Sequence, residues 1–133
     1  MKKNKSVILP NKTKIGRIKM PIAKAIGKRC ADIYISKNHI KHIELAHANE
    51  LRNLGIDGLS YVKSIANEFN QIREGSGTSI LLIIYRENIH DVAAIDLDFS
   101  INKGFWEVKT AQPRSTRDIH RRKILWQNCP SPK

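Results

Sequence analysis

The sequence predicts an α+β domain in which N-terminal helices pack on an antiparallel β-sheet. Three observations carry that expectation. Two helix-period patterns come first, three strand patterns follow with no helix between them, and 133 residues suffice for one core but not for two.

Residues 1–30 mix Lys with short apolar groups and are broken by Pro10, Gly16, Pro21 and Gly27, which suits a basic arm or short edge strands. Residues 31–35 alternate as a short strand. Ser36 then stands where an N-cap belongs, ahead of a helical pattern over 37–54 that Gly55 stops. Asp57 caps a second helix running to about Ile72, since Val62, Ile65, Ala66, Phe69 and Ile72 recur at helical spacing before Gly75 and Gly77. Strands over 79–85, 92–99 and 105–111, with turns at 86–91 and 100–104, are most simply an antiparallel meander. Residues 116–126 read as a short basic helix. The expected organisation is therefore a basic arm or edge strands (1–30), a folded domain (31–126) and a frayed tail (127–133).

Charge narrows the class of partner. The chain carries 24 Lys and Arg against 12 Asp and Glu, a formal net charge of +12. The segment from Met1 to Ala31 holds ten of the cations and no acid, so the N-terminal quarter favours a polyanion. Nucleic acid fits, because neutralising phosphates releases counterions. A membrane-surface role fits less well, because this region lacks amphipathic helical periodicity. The longest apolar run, residues 80–85, is far short of the ~20 residues of a membrane span, and no signal-like apolar stretch follows the basic first residues. Cys30 and Cys129 match neither a disulfide framework nor a zinc-ligand spacing, and are expected to be free thiols.

The helix over 37–54 contains His39, His42 and His47. Ile40, Ile43, Leu51 and Leu54 define its apolar stripe, His47 projects from the middle of that stripe, and His39 and His42 lie toward the polar flank, with Glu50 placed to orient an imidazole. A neutral imidazole at the rim of a partly buried site has a pKa near working pH, as a general base or acid requires. The competing readings are a core His47 satisfied by one hydrogen bond and a solvated face for the other two. Zinc is disfavoured, because these spacings match no common ligand pattern. On the strand over 105–111, period two places Trp106, Val108 and Thr110 on one face and Glu107 and Lys109 on the other. An exposed Trp106 can stack on a base, and a Thr110 hydroxyl can donate to a phosphoryl oxygen. Arg114, Arg117, Arg121 and Arg122 add a second basic stretch suited to neighbouring phosphates.

Two segments carry a family resemblance: Ile40-Lys41-His42-Ile43 followed by His47, and the late run Trp106-Glu107-Val108-Lys109-Thr110-Ala111. Together they resemble the phage and polymorphic-toxin branch of the superfamily that groups barnase, EndoU, colicin-type and RelE-like nucleases, over roughly residues 33–126. The resemblance implies helices packed on an antiparallel sheet of about four strands and a metal-independent, cofactor-free ribonuclease, often acting on tRNA. Its site residues would be His42, His47 and Thr110, with Lys109; His39 lies outside the motif and stands on its own geometry. It also implies a contact-delivered toxin that enters the target bacterial cytoplasm and is neutralised by a cognate acidic immunity protein covering the basic face.

RNA itself then sets the expected chemistry. A base takes the ribose hydroxyl proton, that oxygen attacks the adjacent phosphorus, and an acid protonates the leaving oxygen. His42 and His47 would fill those two roles, with Thr110 and Lys109 stabilising the developing charge. Two rival readings stand beside this one. Glu107-Val108-Lys109 is an E-x-K on a strand, with Asp96 and Asp98 on the strand before it, as in metal-dependent DNases of the PD-(D/E)XK type. Alternatively, the basic arm and Trp106 would make a non-catalytic RNA-binding module.

Overall fold

The computed structural model describes residues 12–98 and 104–128. In chain order the described elements are β1 (Lys12–Ile18), α1 (Met20–Ile26), β2 (Ala31–Ser36), α2 (Lys37–Ala46), α3 (Ala48–Leu54), α4 (Gly58–Glu68), β3 (Gln71–Glu74), β4 (Ile80–Ile84), β5 (Ile89–Asp98), β6 (Phe105–Ser115), α5 (Thr116–His120) and β7 (Ile124–Gln127). The architecture is α+β. The strands form one mixed sheet of seven in the order β1-β2-β6-β5-β4-β3-β7. Strands β4, β5 and β6 make the expected antiparallel meander. The sheet as a whole departs from the antiparallel expectation at one pair: β2 runs parallel to β6, with Ile33 opposite Trp106 and Tyr34 opposite Glu107.

Side chains alternate between two faces of this sheet. The main core lies on one face, where Ile33, Ile35, Leu82, Ile95 and Val108 meet Ile43 of α2 and Ile65 of α4. A smaller cluster of Leu81, Ile83 and Val92 on the other face is capped by Ile119 of α5. Local signals behave as their chemistry requires. Ser36 Oγ accepts from His39 N at 3.1 Å to start α2, Asp57 Oδ1 accepts from Ser60 N at 2.8 Å to start α4, and Gly55 adopts φ 72° to end α3.

Several elements differ from expectation. The helix expected over 37–54 breaks at His47 (φ −127°, ψ 33°), whose N–H donates to Ile43 O at 2.9 Å and whose carbonyl accepts from Leu51 N at 3.0 Å. One residue outside helical dihedrals leaves the apolar period nearly intact, so periodicity does not register the break. The second helix stops at Glu68, and Gln71–Glu74 is a strand, because β4 on one side and β7 on the other supply ladder partners to Ile72. The basic helix expected over 116–126 is cut to α5, and its remainder becomes edge strand β7 for the same reason. Within residues 1–30, read as an arm or short edge strands, the second alternative holds for β1, which pairs antiparallel with β2 at the sheet edge and buries Ile15 and Ile18. Cys30 forms no disulfide among the described residues, and Cys129, the other expected free thiol, lies outside them. Residues 1–11, most of the turn expected at 100–104, and the tail from Cys129 onward lie outside the described residues.

The strand β6 also carries a bulge. Ile95 pairs with Val108 and Ala94 with Thr110, so Lys109 is the extra residue. Alternation inverts there, and Thr110 falls on the face opposite Trp106 and Val108 instead of sharing theirs. Trp106 itself is 0% exposed and donates Nε1–H to Arg29 O at 2.9 Å. The expected base-stacking role for Trp106 is therefore corrected to that of a core ring with its one polar atom satisfied. Trp106→Ala is expected to lower the unfolding free energy by ~3–5 kcal/mol in urea titration. A loss below ~1 kcal/mol would show that the ring is not packed as described.

Candidate active site

The site forms where β2 turns into α2 beside β6. Parallel pairing sets Tyr34 opposite Glu107, and two residues later Ser36 closes β2 and caps α2. The Ser36 hydroxyl also lies 2.8 Å from His39 Nδ1, holding the imidazole in the first turn of α2. His39 Nδ1 is thereby 3.8 Å from Glu107 Oε2.

Glu107 is only 5% exposed, on the face opposite Trp106, and its two oxygens are divided between two lysines. Lys12 Nζ donates to Oε2 at 2.6 Å and Lys109 Nζ to Oε1 at 3.3 Å. Lys12 arrives from β1, where it pairs with Ser36, and its ammonium also lies 5.8 Å from the centre of the Phe105 ring. Lys109 reaches back from the bulge.

These contacts fix the charge states. Burial pushes the Glu107 carboxyl up, but the hydrogen bond from Lys12 and the charges of Lys109 and Lys12 outweigh it and hold the group below the usual carboxylate range. Burial pushes the His39 imidazole down; the Glu107 charge opposes this, while Lys109, Lys12 and His42 add to it. At neutral pH the cluster is thus a carboxylate, two ammoniums and a neutral imidazole, with one net positive charge. A neutral imidazole can accept a proton, and each ammonium has donors beyond the one given to Glu107 for an incoming phosphate.

The expected site residues are only partly gathered here. His39, Glu107 and Lys109 meet, and His42 is exposed one turn further along the flank of α2 that carries His39. His47 sits at the α2–α3 joint instead, its Nδ1 3.9 Å from Glu50 Oε2, the carboxylate expected to orient a histidine. Thr110 is half-exposed just beyond the bulge, on the Glu107 face. Arg114 pairs with His90 at the far end of β6, and Arg117 and Arg121 are exposed on and just after α5. The Arg122 carbonyl accepts from buried Arg73 Nη1 at 2.8 Å, while its own Nη2 donates to Ser76 Oγ at 3.3 Å. Asp96 stands opposite Glu107 in register, but its Oδ1 accepts from Thr78 Oγ1 at 2.7 Å and from Leu97 N at 3.1 Å. Asp98 closes β5 opposite Phe105. Among the described residues, no three His, Cys, Asp or Glu side chains converge as a metal-ligand set.

Sequence reasoning overlooked Lys12 and credited Ser36 with capping alone. It connected Glu107 only with metal chemistry. The E-x-K spacing on a strand is the legible trace of the Glu107–Lys109 contact, whereas nothing in the local sequence marks Lys12. No family model, curated protein or solved structure matches this chain.

The electrostatics predict a titration. The His39 ring, followed by NMR, should titrate below the ordinary 6.5. Glu107→Gln should move the midpoint further down by removing the charge that raises it, and Lys109→Met should move it up. Opposite movements would contradict the arrangement.

Proposed function

We propose that this chain is a metal-independent ribonuclease domain, on the barnase/EndoU/colicin/RelE-like plan, that cleaves RNA by acid/base transesterification. The observation that carries the reading is the buried Glu107 carboxylate held by two lysines, with a neutral His39 beside it, on a strongly basic protein.

In this reading His39, rather than His47, takes the proton from the ribose 2′-hydroxyl. The freed oxygen attacks the adjacent phosphorus, and Lys12 and Lys109 share the negative charge that builds on the phosphoryl oxygens, with the Thr110 hydroxyl nearby as a further donor. The 5′-oxygen leaves with a proton from His42, giving a 2′,3′-cyclic phosphate and a free 5′-hydroxyl. Glu107 positions both ammoniums and biases His39. The family resemblance extends the proposal to a toxin delivered into a target bacterial cytoplasm, with tRNA as substrate and an acidic immunity protein as inhibitor.

One feature favours a second reading: Asp96 and Glu107 face each other across β5 and β6 with Lys109 adjacent, as a metal-dependent DNase would need. Incubation with total RNA and with plasmid DNA, each with and without EDTA, separates the two. EDTA-resistant RNA cleavage leaving cyclic-phosphate ends is expected, and EDTA-sensitive DNA cleavage would falsify the ribonuclease reading. Binding without cleavage would return the chain to an RNA-binding module. His39→Ala should reduce the cleavage rate by about 10²–10⁴-fold with thermal unfolding nearly unchanged.

A further inference from the structure

At the end of β5 and β6 remote from Glu107, three rings meet. Tyr85, the residue after β4, lies with its Oη 2.8 Å from His120 Nε2. The two ring planes are within 8° and their centroids 6.0 Å apart. The hydrogen bond thus joins the edges of two nearly parallel rings. His90 packs against one face of Tyr85, with centroids 4.2 Å apart.

The support beneath those rings is buried and hydrogen-bonded. His90 is fully buried, and its Nδ1 accepts from Arg86 N at 2.9 Å, which leaves the proton on Nε2 to donate to Thr116 Oγ1 at 2.7 Å. The Thr116 hydroxyl donates in turn to Glu87 O at 3.2 Å. His120 is exposed, and so are Arg117, one turn earlier on the same flank of α5, and Arg121, the next residue. Asp118, two positions before His120, falls on a different side of the helix.

We infer that the Tyr85–His120 surface is a stacking site for one nucleobase of a single-stranded RNA, with Arg117 and Arg121 taking the neighbouring phosphates. It rests on the reading of the chain as an RNA-acting protein. Aromatic ring faces beside exposed cations bind unstacked bases with little regard to sequence, whereas bases in a duplex are already stacked on their neighbours. The surface does what Trp106 cannot, since that ring is sealed in the core. It also sits on the sheet face that carries Glu107, so one strand laid along β6 would reach both places.

The test uses the whole chain and fluorescein-labelled 2′-O-methyl oligonucleotides, which lack the attacking hydroxyl and are not cut. His120→Ala is expected to raise the Kd for a single-stranded oligomer about tenfold, His120→Phe to restore most of the affinity, and an abasic oligomer to bind the wild type and His120→Ala alike. Unchanged affinity in His120→Ala, or an equal loss on the abasic oligomer, overturns the stacking site. The reading of the His39–Glu107 cluster depends on cleavage assays alone, so the two proposals fail separately.

Discussion

The parallel contact between β2 and β6 is short, two residues in register, yet the site geometry depends on it. It joins a strand that precedes the helical layer to the last strand of the meander, and parallel neighbours need a long crossover, which α2, α3, α4 and the strands after them supply. Because Ser36 both ends β2 and caps α2, the start of that helix cannot move independently of β6. Once Tyr34 is opposite Glu107, the imidazole of His39 has to lie beside the carboxylate. The same pairing brings β1 within one strand of β6, close enough for Lys12 to span β2.

A buried carboxylate is tolerated only when it is paired and hydrogen-bonded. Glu107 meets that condition with partners from three places: the edge strand, the bulge and the helix start. The cluster therefore acts as a unit, since removing either lysine takes the hydrogen bond from one oxygen of the buried carboxylate. The bulge that carries Lys109 has a structural use as well. It returns Ala111 to the main core while turning Thr110 toward the charged face.

The face opposite the main core is divided by α5. Over β3, β4 and β5 this helix closes the surface with Ile119, and buried Arg73 ties it down through Ile119 O and Arg122 O, with its Nε donating to Gln71 Oε1 at 2.6 Å. Over β6, β2 and β1 the face carries Lys12, Tyr34, Ser36 and Glu107, with His39 at its end. Fixing α5 also fixes His120, so the ring surface with Tyr85 is as much a product of this anchoring as of the two residues themselves.

The sequence by itself determined the α+β class, the caps at Ser36 and Asp57, the strand over 31–35, the β4–β6 meander and the concentration of positive charge, because these follow from local periodicity, capping chemistry and composition. Parts of the site were legible in the same way: His39 and His42 as helix-flank histidines, and Lys109 through its spacing from Glu107. Only the tertiary structure decided that 71–74 and 124–127 are strands, that the long helix breaks at His47, that Trp106 is core, and that Lys12 completes the charged cluster. Each of these depends on partners far away in the chain. Edge segments become strands when a neighbour offers a ladder, and a bulge shifts side-chain parity without leaving a periodic trace.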